Sequence, residues 1–256
     1  MKPLVARMKP VRGVSSFLHN GLLLVFPLAL FALVRLDFVQ LAYILIALSK
    51  WRMLAVRPRF WPANIRSNAV DIIVGVSTLV YMTQTSSSVW QLVWALVYAA
   101  WLIFLKPGST VSYISLQAGV GFIMGLTAMF IAGAAAPLYA LVLGAGILCF
   151  LAARHFFDSF DEPYSRLLSY LWGYFGAAMV WLLGHLLVVY PSQTGYLNQP
   201  LVLLVVIGSA LAVTYYLDHF EKLSSYVKWQ TAGVAAVIVL FILASLFYEG
   251  HHLLIR

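Results

Sequence analysis

Three guanidinium groups fall close together in the segment Arg57-Pro58-Arg59-Phe60-Trp61-Pro62-Ala63-Asn64-Ile65-Arg66, interleaved with two aromatics and two prolines. Arginine forks match phosphate oxygens bidentately, and aromatic neighbours can rest at the level of a lipid headgroup. Arg57, Arg59 and Arg66 are therefore expected to meet phosphate, either on an anionic lipid or on a phosphorylated substrate. A plainer reading makes them orientation charges on one side of a bilayer, with no ligand at all.

A second polar group is acidic. His155, Asp158, Asp161 and Glu162 lie within two turns, and Asp218 and Glu221 form a shorter patch. Carboxylates one turn from an imidazole could coordinate Mg²⁺. A solvated loop or helix cap, with Arg154 and Arg166 as local ion-pair partners, accounts for the same residues without a metal. That second reading is preferred, so no metal or cofactor is expected. The D-x-F-[DE] recurrence between the two patches is short enough to arise by chance. The patches also lack the D-x-x-x-D core of the membrane prenyltransferases, and they occupy a different pair of loops.

Other chemistries are excluded by missing patterns. The chain has no H-E-x-x-H zinc motif, no G-x-S-x-G nucleophile elbow and no Walker A loop. Its one cysteine, Cys149, cannot form an internal disulfide. Within the apolar runs the polar residues are few: His185 near the end of one run and Gln117 in another, with Ser115, Thr127 and Gln84 as further hydrogen-bonding groups. Ionisable groups inside a membrane are costly and usually functional. Their scarcity counts against a proton-coupled pump.

The elements that must position these residues are set by composition. Of 256 residues, 63% are hydrophobic and 9% charged, against roughly 45–50% and about 25% in ordinary domains. Such a chain cannot solvate a globular surface. Its apolar stretches fall near residues 17–34, 38–56, 72–85, 89–105, 111–133, 138–153, 167–190, 201–217 and 229–248. Breaks such as Lys106-Pro107-Gly108 and Tyr190-Pro191-Ser192 separate them. Unbroken runs of this length suit helices rather than the alternating strands of a barrel. The expectation is one all-α domain over residues 1–256, a polytopic transmembrane helix bundle of about nine spans.

Charge orients it. With the N-terminus inside and nine spans, only Arg35 and Arg256 of the 16 Lys and Arg fall outside. Basic loops resist translocation, so this segregation predicts a cytoplasmic N-terminus and an external C-terminus. The net charge of +8 then faces the anionic inner leaflet and implies no nucleic-acid partner. The cytoplasmic (plasma) membrane is the expected location.

Small residues at helical spacing indicate where helices approach closely. Gly121 and Gly125 form a GxxxG pair, and Gly173 begins another small-residue stripe with Gly176 and Ala177. They are expected to serve packing within the chain; a homo-oligomer or a membrane-protein partner is the alternative. Three functional classes remain open at this level: a permease-like transporter of a small solute or lipid, a structural or accessory membrane subunit, and an inner-interface enzyme acting on a phosphate-bearing lipid. The first is favoured, and enzymatic activity is not the preferred expectation. A permease is expected to show a polar, water-accessible path between helices, a subunit an exposed small-residue stripe and no cavity, and an enzyme an inner pocket gathering Arg57, Arg59 or Arg66 with Asp158 or Asp161.

Overall fold

The structure, a computed structural model, describes residues 14–160, 162–184, 189–192, 195–220, 224–237 and 240. It is helical apart from one short hairpin. The helices are α1 (Val14–Arg35), α2 (Val39–Ser49), α3 (Trp61–Ser67), α4 (Ala69–Gln84), α5 (Ser88–Ala100), α6 (Val111–Ala132), α7 (Leu138–Asp158), α8 (Ser165–Gly184) and α9 (Gln199–His219). A further helix, α10, covers residues 225–237. The antiparallel hairpin pairs β1 (Val189–Ser192) with β2 (Gly195–Asn198) between α8 and α9.

Among the described residues, five helices are long and apolar enough to cross a membrane, and a sixth if α3 and α4, bent by 64° about Asn68, count as one broken span. Their outer faces carry large apolar side chains where a soluble protein would carry charge. Phe104, Ile147, Leu171 and Leu211 are all more than half exposed, a surface that calls for lipid rather than water.

The chain forms two packed cores. The first joins α1, α2, α4 and α5 through Leu30, Ile46, Val74, Leu79, Met82 and Tyr98. The second joins α6 to α9 through Phe122, Leu126, Cys149, Val180 and Leu204. Between them α4 lies against α6, where a Cβ on Gly121 would sit 2.8 Å from Val70 Cγ1 and one on Gly125 2.7 Å from Ile73 Cγ2. Side chains there would force the helices apart, which is the steric meaning of the GxxxG spacing. On α8, Gly173 faces the Gly146 carbonyl of α7, 3.0 Å from where its Cβ would be.

Turn chemistry explains several boundaries. Asp37 takes a left-handed backbone, φ 62°, and the Phe38 and Asp37 amides donate to Leu33 O and Val34 O at 2.8 and 3.1 Å. This closes α1 with an αL cap, a conformation that aspartate tolerates better than most residues. Thr110 caps α6, its hydroxyl accepting from the Tyr113 amide at 3.4 Å.

Some expected runs differ from the helices formed. The run at 38–56 is α-helical only over Val39–Ser49, after which Trp51–Met53 and Pro58–Phe60 make single 3₁₀ turns. The run ends where Lys50 turns its side chain inward. The run at 72–85 is one arm of the bent α3–α4 pair, and the run at 138–153 continues as helix to Asp158. The run at 167–190 stops at Gly184, and strand pairing begins by Val189.

Candidate functional site

Two polar arrangements stand out, and they are built in opposite ways. The first is a closed ionic knot. Asp71, in the first turn of α4, is 8% exposed. Its carboxylate takes the Lys50 ammonium on one oxygen. The same oxygen meets Lys106 Nζ at 2.7 Å, and the other accepts from Trp101 Nε1 at 3.2 Å. Three local devices bring these groups together. Lys50 is the first residue past α2. The break at Asn68 starts α4 just before Asp71. Finally, α5 loosens into a π-helical turn over Trp101–Leu105, whose end is Lys106. A π turn shifts the angular position of the residues after it relative to an α-helix, so Trp101 and Lys106 can both reach one carboxylate. Tyr98, fully buried one turn before Trp101, presses its hydroxyl against α4: a Cβ on Gly75 would lie 2.7 Å from that oxygen. Both oxygens of the Asp71 carboxylate are thus engaged.

The second arrangement is open. A cavity of about 820 Å³ lies among α6, α7, α8, α9 and α10, within the size range of small-molecule sites. Its walls are apolar and aromatic, from Phe122, Phe156, Trp172 and Phe175 to Leu171 and Leu211. Leu171 and Leu211 are each 55% exposed, so the cavity opens sideways on the apolar surface between α8 and α9. Gly119 of α6 leaves it room, since no atom lies within 4 Å of where its Cβ would stand. The polar lining residues include Asp218, Lys228, Tyr215, Thr214 and Ser115. Asp218 and Lys228 form an ion pair at 3.7 Å with both side chains more than half exposed. Tyr215 Oη donates to Glu162 Oε2 at 2.5 Å.

Hydrogen bonds place the knot and the charged rim at one end of the bundle. Gln117 Nε2 donates to Leu105 O and Gly108 O at 2.6 and 3.0 Å, on either side of Lys106. Its Oε1 lies 3.1 Å from His155 Nε2. Nearby, Ser112 Oγ and Tyr216 Oη are 2.7 Å apart, joining the start of α6 to the last turn of α9. Gln117 thus knits α5, α6 and α7 together, and its hydrogen-bonding capacity is spent on that task.

The other sequence candidates are distributed, not gathered. Arg57, Arg59 and Arg66 are exposed. Their loop is held by Trp61 Nε1, which donates to Leu54 O and Val56 O at 3.1 and 3.0 Å, and by Asn64 Nδ2 to Met53 O at 3.3 Å. Arg59 lies over the Phe60 ring, 4.6 Å from its centroid. None of the three arginines lines the cavity. Asp158 is paired with Arg154 at 2.9 Å across one helical turn, and Arg154 also donates to Ser165 Oγ at 2.7 Å. Asp161, Glu221 and His185 lie outside the described residues. Among the described residues, no three of His, Cys, Asp and Glu stand close enough to share a metal ion.

The sequence reading missed the knot. Lys50 and Lys106 look like orientation charges, and Asp71 like a lone acid at the start of a run. The available signal was their level: in alternating spans all three fall at the same ends of adjacent helices, where a single acid would seek the bases. The fold and these sites define a class, an apolar helical bundle that points to an integral membrane protein. No family model, curated protein or solved structure matches the chain.

Proposed function

We propose that the protein is a nine-span, positive-inside membrane protein that binds a lipid between α6 and α9 and passes it along a permease-like route. The single observation that carries this is the cavity of about 820 Å³, lined mostly by apolar side chains, with the Asp218–Lys228 pair and the exposed Leu171 and Leu211 among its lining residues. A permease for a polar solute needs a hydrophilic path, and these walls are aromatic and aliphatic. An accessory subunit has no use for such a void. An inner-interface enzyme would gather the arginines of residues 57–66 with Asp158, whereas Arg57, Arg59 and Arg66 lie off the cavity and Asp158 is engaged by Arg154. The nine-span reading, with the N-terminus inside and the C-terminus outside, is supported by the charge segregation. It is supported too by the contacts that bring Lys50, Asp71, Lys106, Gln117 and His155 to one end of the bundle.

The test is reconstitution into liposomes carrying a trace of headgroup-labelled phospholipid, with membrane-impermeant reductant added outside. Wild-type protein should raise the accessible fraction above the outer-leaflet half. Gly119→Phe, whose Cβ would meet nothing within 4 Å and whose ring would occupy the cavity, should abolish the increase. Equal bleaching with and without protein would refute lipid movement. Topology is tested separately by a cysteine at Asn64, expected to react only from the cytoplasmic side. Residues 191–199 should react only from outside.

A further inference from the structure

We infer that the lipid held in this cavity is a zwitterionic diacyl glycerophospholipid, its phosphate on Lys228, its amine on Asp218 and an ester carbonyl on the Ser115 hydroxyl. This rests on the reading that the cavity binds a lipid, and it names the chemistry of that lipid.

The polar groups of the cavity match the order of such a molecule. The rim carries one base and one acid, Lys228 and Asp218, 3.7 Å apart and exposed. An exposed pair this loose contributes little to stability and is easily parted by a headgroup that satisfies both members. A purely anionic headgroup would answer Lys228 but set its charge against Asp218, and a neutral one would answer neither. The arginines that could prefer an anion, Arg57, Arg59 and Arg66, line no part of the cavity.

Ser115 stands one helical turn inward of Ser112, whose hydroxyl meets Tyr216 at the end of α9. Ser115 lines the cavity; its hydroxyl is buried and has no hydrogen-bond partner among the described residues, and a turn about its Cα–Cβ bond would bring it to the cavity. Other hydroxyls in these helices turn back to their own backbone: Thr127 to Ile123 O at 2.8 Å and Ser169 to Ser165 O at 2.5 Å. A buried hydroxyl left without a partner is unfavourable, and an ester carbonyl just below the headgroup supplies one. Deeper still, Phe122, Trp172 and Phe175 offer only apolar surface, as acyl chains require. Charge pair, unpartnered hydroxyl and aromatic sleeve thus match headgroup, ester and chain.

The experiment is native mass spectrometry of the full chain in a neutral detergent. The protein is incubated with equimolar dioleoyl phosphatidylethanolamine, dioleoyl phosphatidylglycerol and the dialkyl-ether analogue of the first. Wild type should retain the ethanolamine lipid over the glycerol lipid by about ten-fold, the scale of one charge-assisted bond. Asp218→Asn should reverse that preference, and Lys228→Gln should lower retention of both. Ser115→Ala should erase the preference for ester over ether while leaving the headgroup ratio intact. Equal retention of the two headgroups by wild type, or a ratio unmoved by Asp218→Asn, overturns the inference. Gly119→Phe separates the two levels: if it fails to reduce lipid retention, the cavity reading itself falls. If it empties the protein while Asp218→Asn and Ser115→Ala change nothing, only the headgroup assignment falls. Unchanged melting temperatures of the variants show that the comparison is made on folded protein.

Discussion

The two halves of the bundle treat polar groups in contrasting ways. Around α2, α4 and α5, a buried aspartate is consumed by two lysines and an indole, and the surrounding core is closed by Tyr98 against Gly75. Around α6 to α9, an acid and a base meet loosely beside a void, and a buried serine hydroxyl has no hydrogen-bond partner among the described residues. Low dielectric amplifies both situations. Where every charge is satisfied the region becomes a rigid anchor, and where groups are left unmatched the region is suited to receive something. Packing shows the same division, for α7 and α8 adhere along their length while α9 touches its neighbours sparsely.

The contrast can be broken most forcefully at Asp71. Asp71→Ala leaves the Lys50 ammonium buried without its counter-ion and should cost about 3–5 kcal/mol, read as a lowered melting temperature in detergent. Adding Lys50→Met should recover much of the loss, because the stranded charge is then gone. A single variant as stable as wild type would mean that the knot carries no structural weight.

Close packing against α4 gives the next effect. Gly121→Leu should drive into Val70, and Gly75→Ala into the Tyr98 hydroxyl, each destabilising by about 1–3 kcal/mol. Tyr98→Phe should be nearly neutral alone, since the hydroxyl has no partner among the described residues, and should soften the Gly75→Ala penalty. Chemical denaturation of these single variants and the Gly75–Tyr98 double variant would measure this. A full-cost Gly75→Ala in the Tyr98→Phe background would locate the strain elsewhere.

At the surface, replacing Arg57, Arg59 and Arg66 together by Gln should reduce retention of anionic lipid and flatten its decline with salt, with stability unchanged. Identical retention and salt dependence in both proteins would leave this loop a topological signal only. The smallest effects belong to the open half. Gly119→Leu and Asp218→Asn should each change stability by no more than about 0.5 kcal/mol, Gly119 because its Cβ meets nothing within 4 Å and Asp218 because its ion pair is exposed. A large loss at Gly119 would show that the cavity closes in solution.

The helical class, the apolar surface and most of the turns were legible in the residues alone, because these depend on local composition. Runs without charge must pair their backbone internally, so they become helices wherever they are long enough. Gly121, Gly125 and Gly173 stand out in the sequence as candidate points of close approach, since small residues one turn apart leave a flat stripe on any helix. Which charges meet was settled by the folding of the chain in three dimensions. Lys50 and Lys106 are separated from Asp71 by 21 and 35 positions, and their encounter requires a helix cut short after Ser49, a break at Asn68 and a π turn at Trp101. Hydropathy registers none of these. The cavity was equally illegible: nothing in the types or spacing of Phe122, Trp172 and Gly208 sets them around a void. Whether they close on one another or stand around a void depends on how α9 is set against α6 and α8, a matter of helix rotation and separation that no single segment encodes.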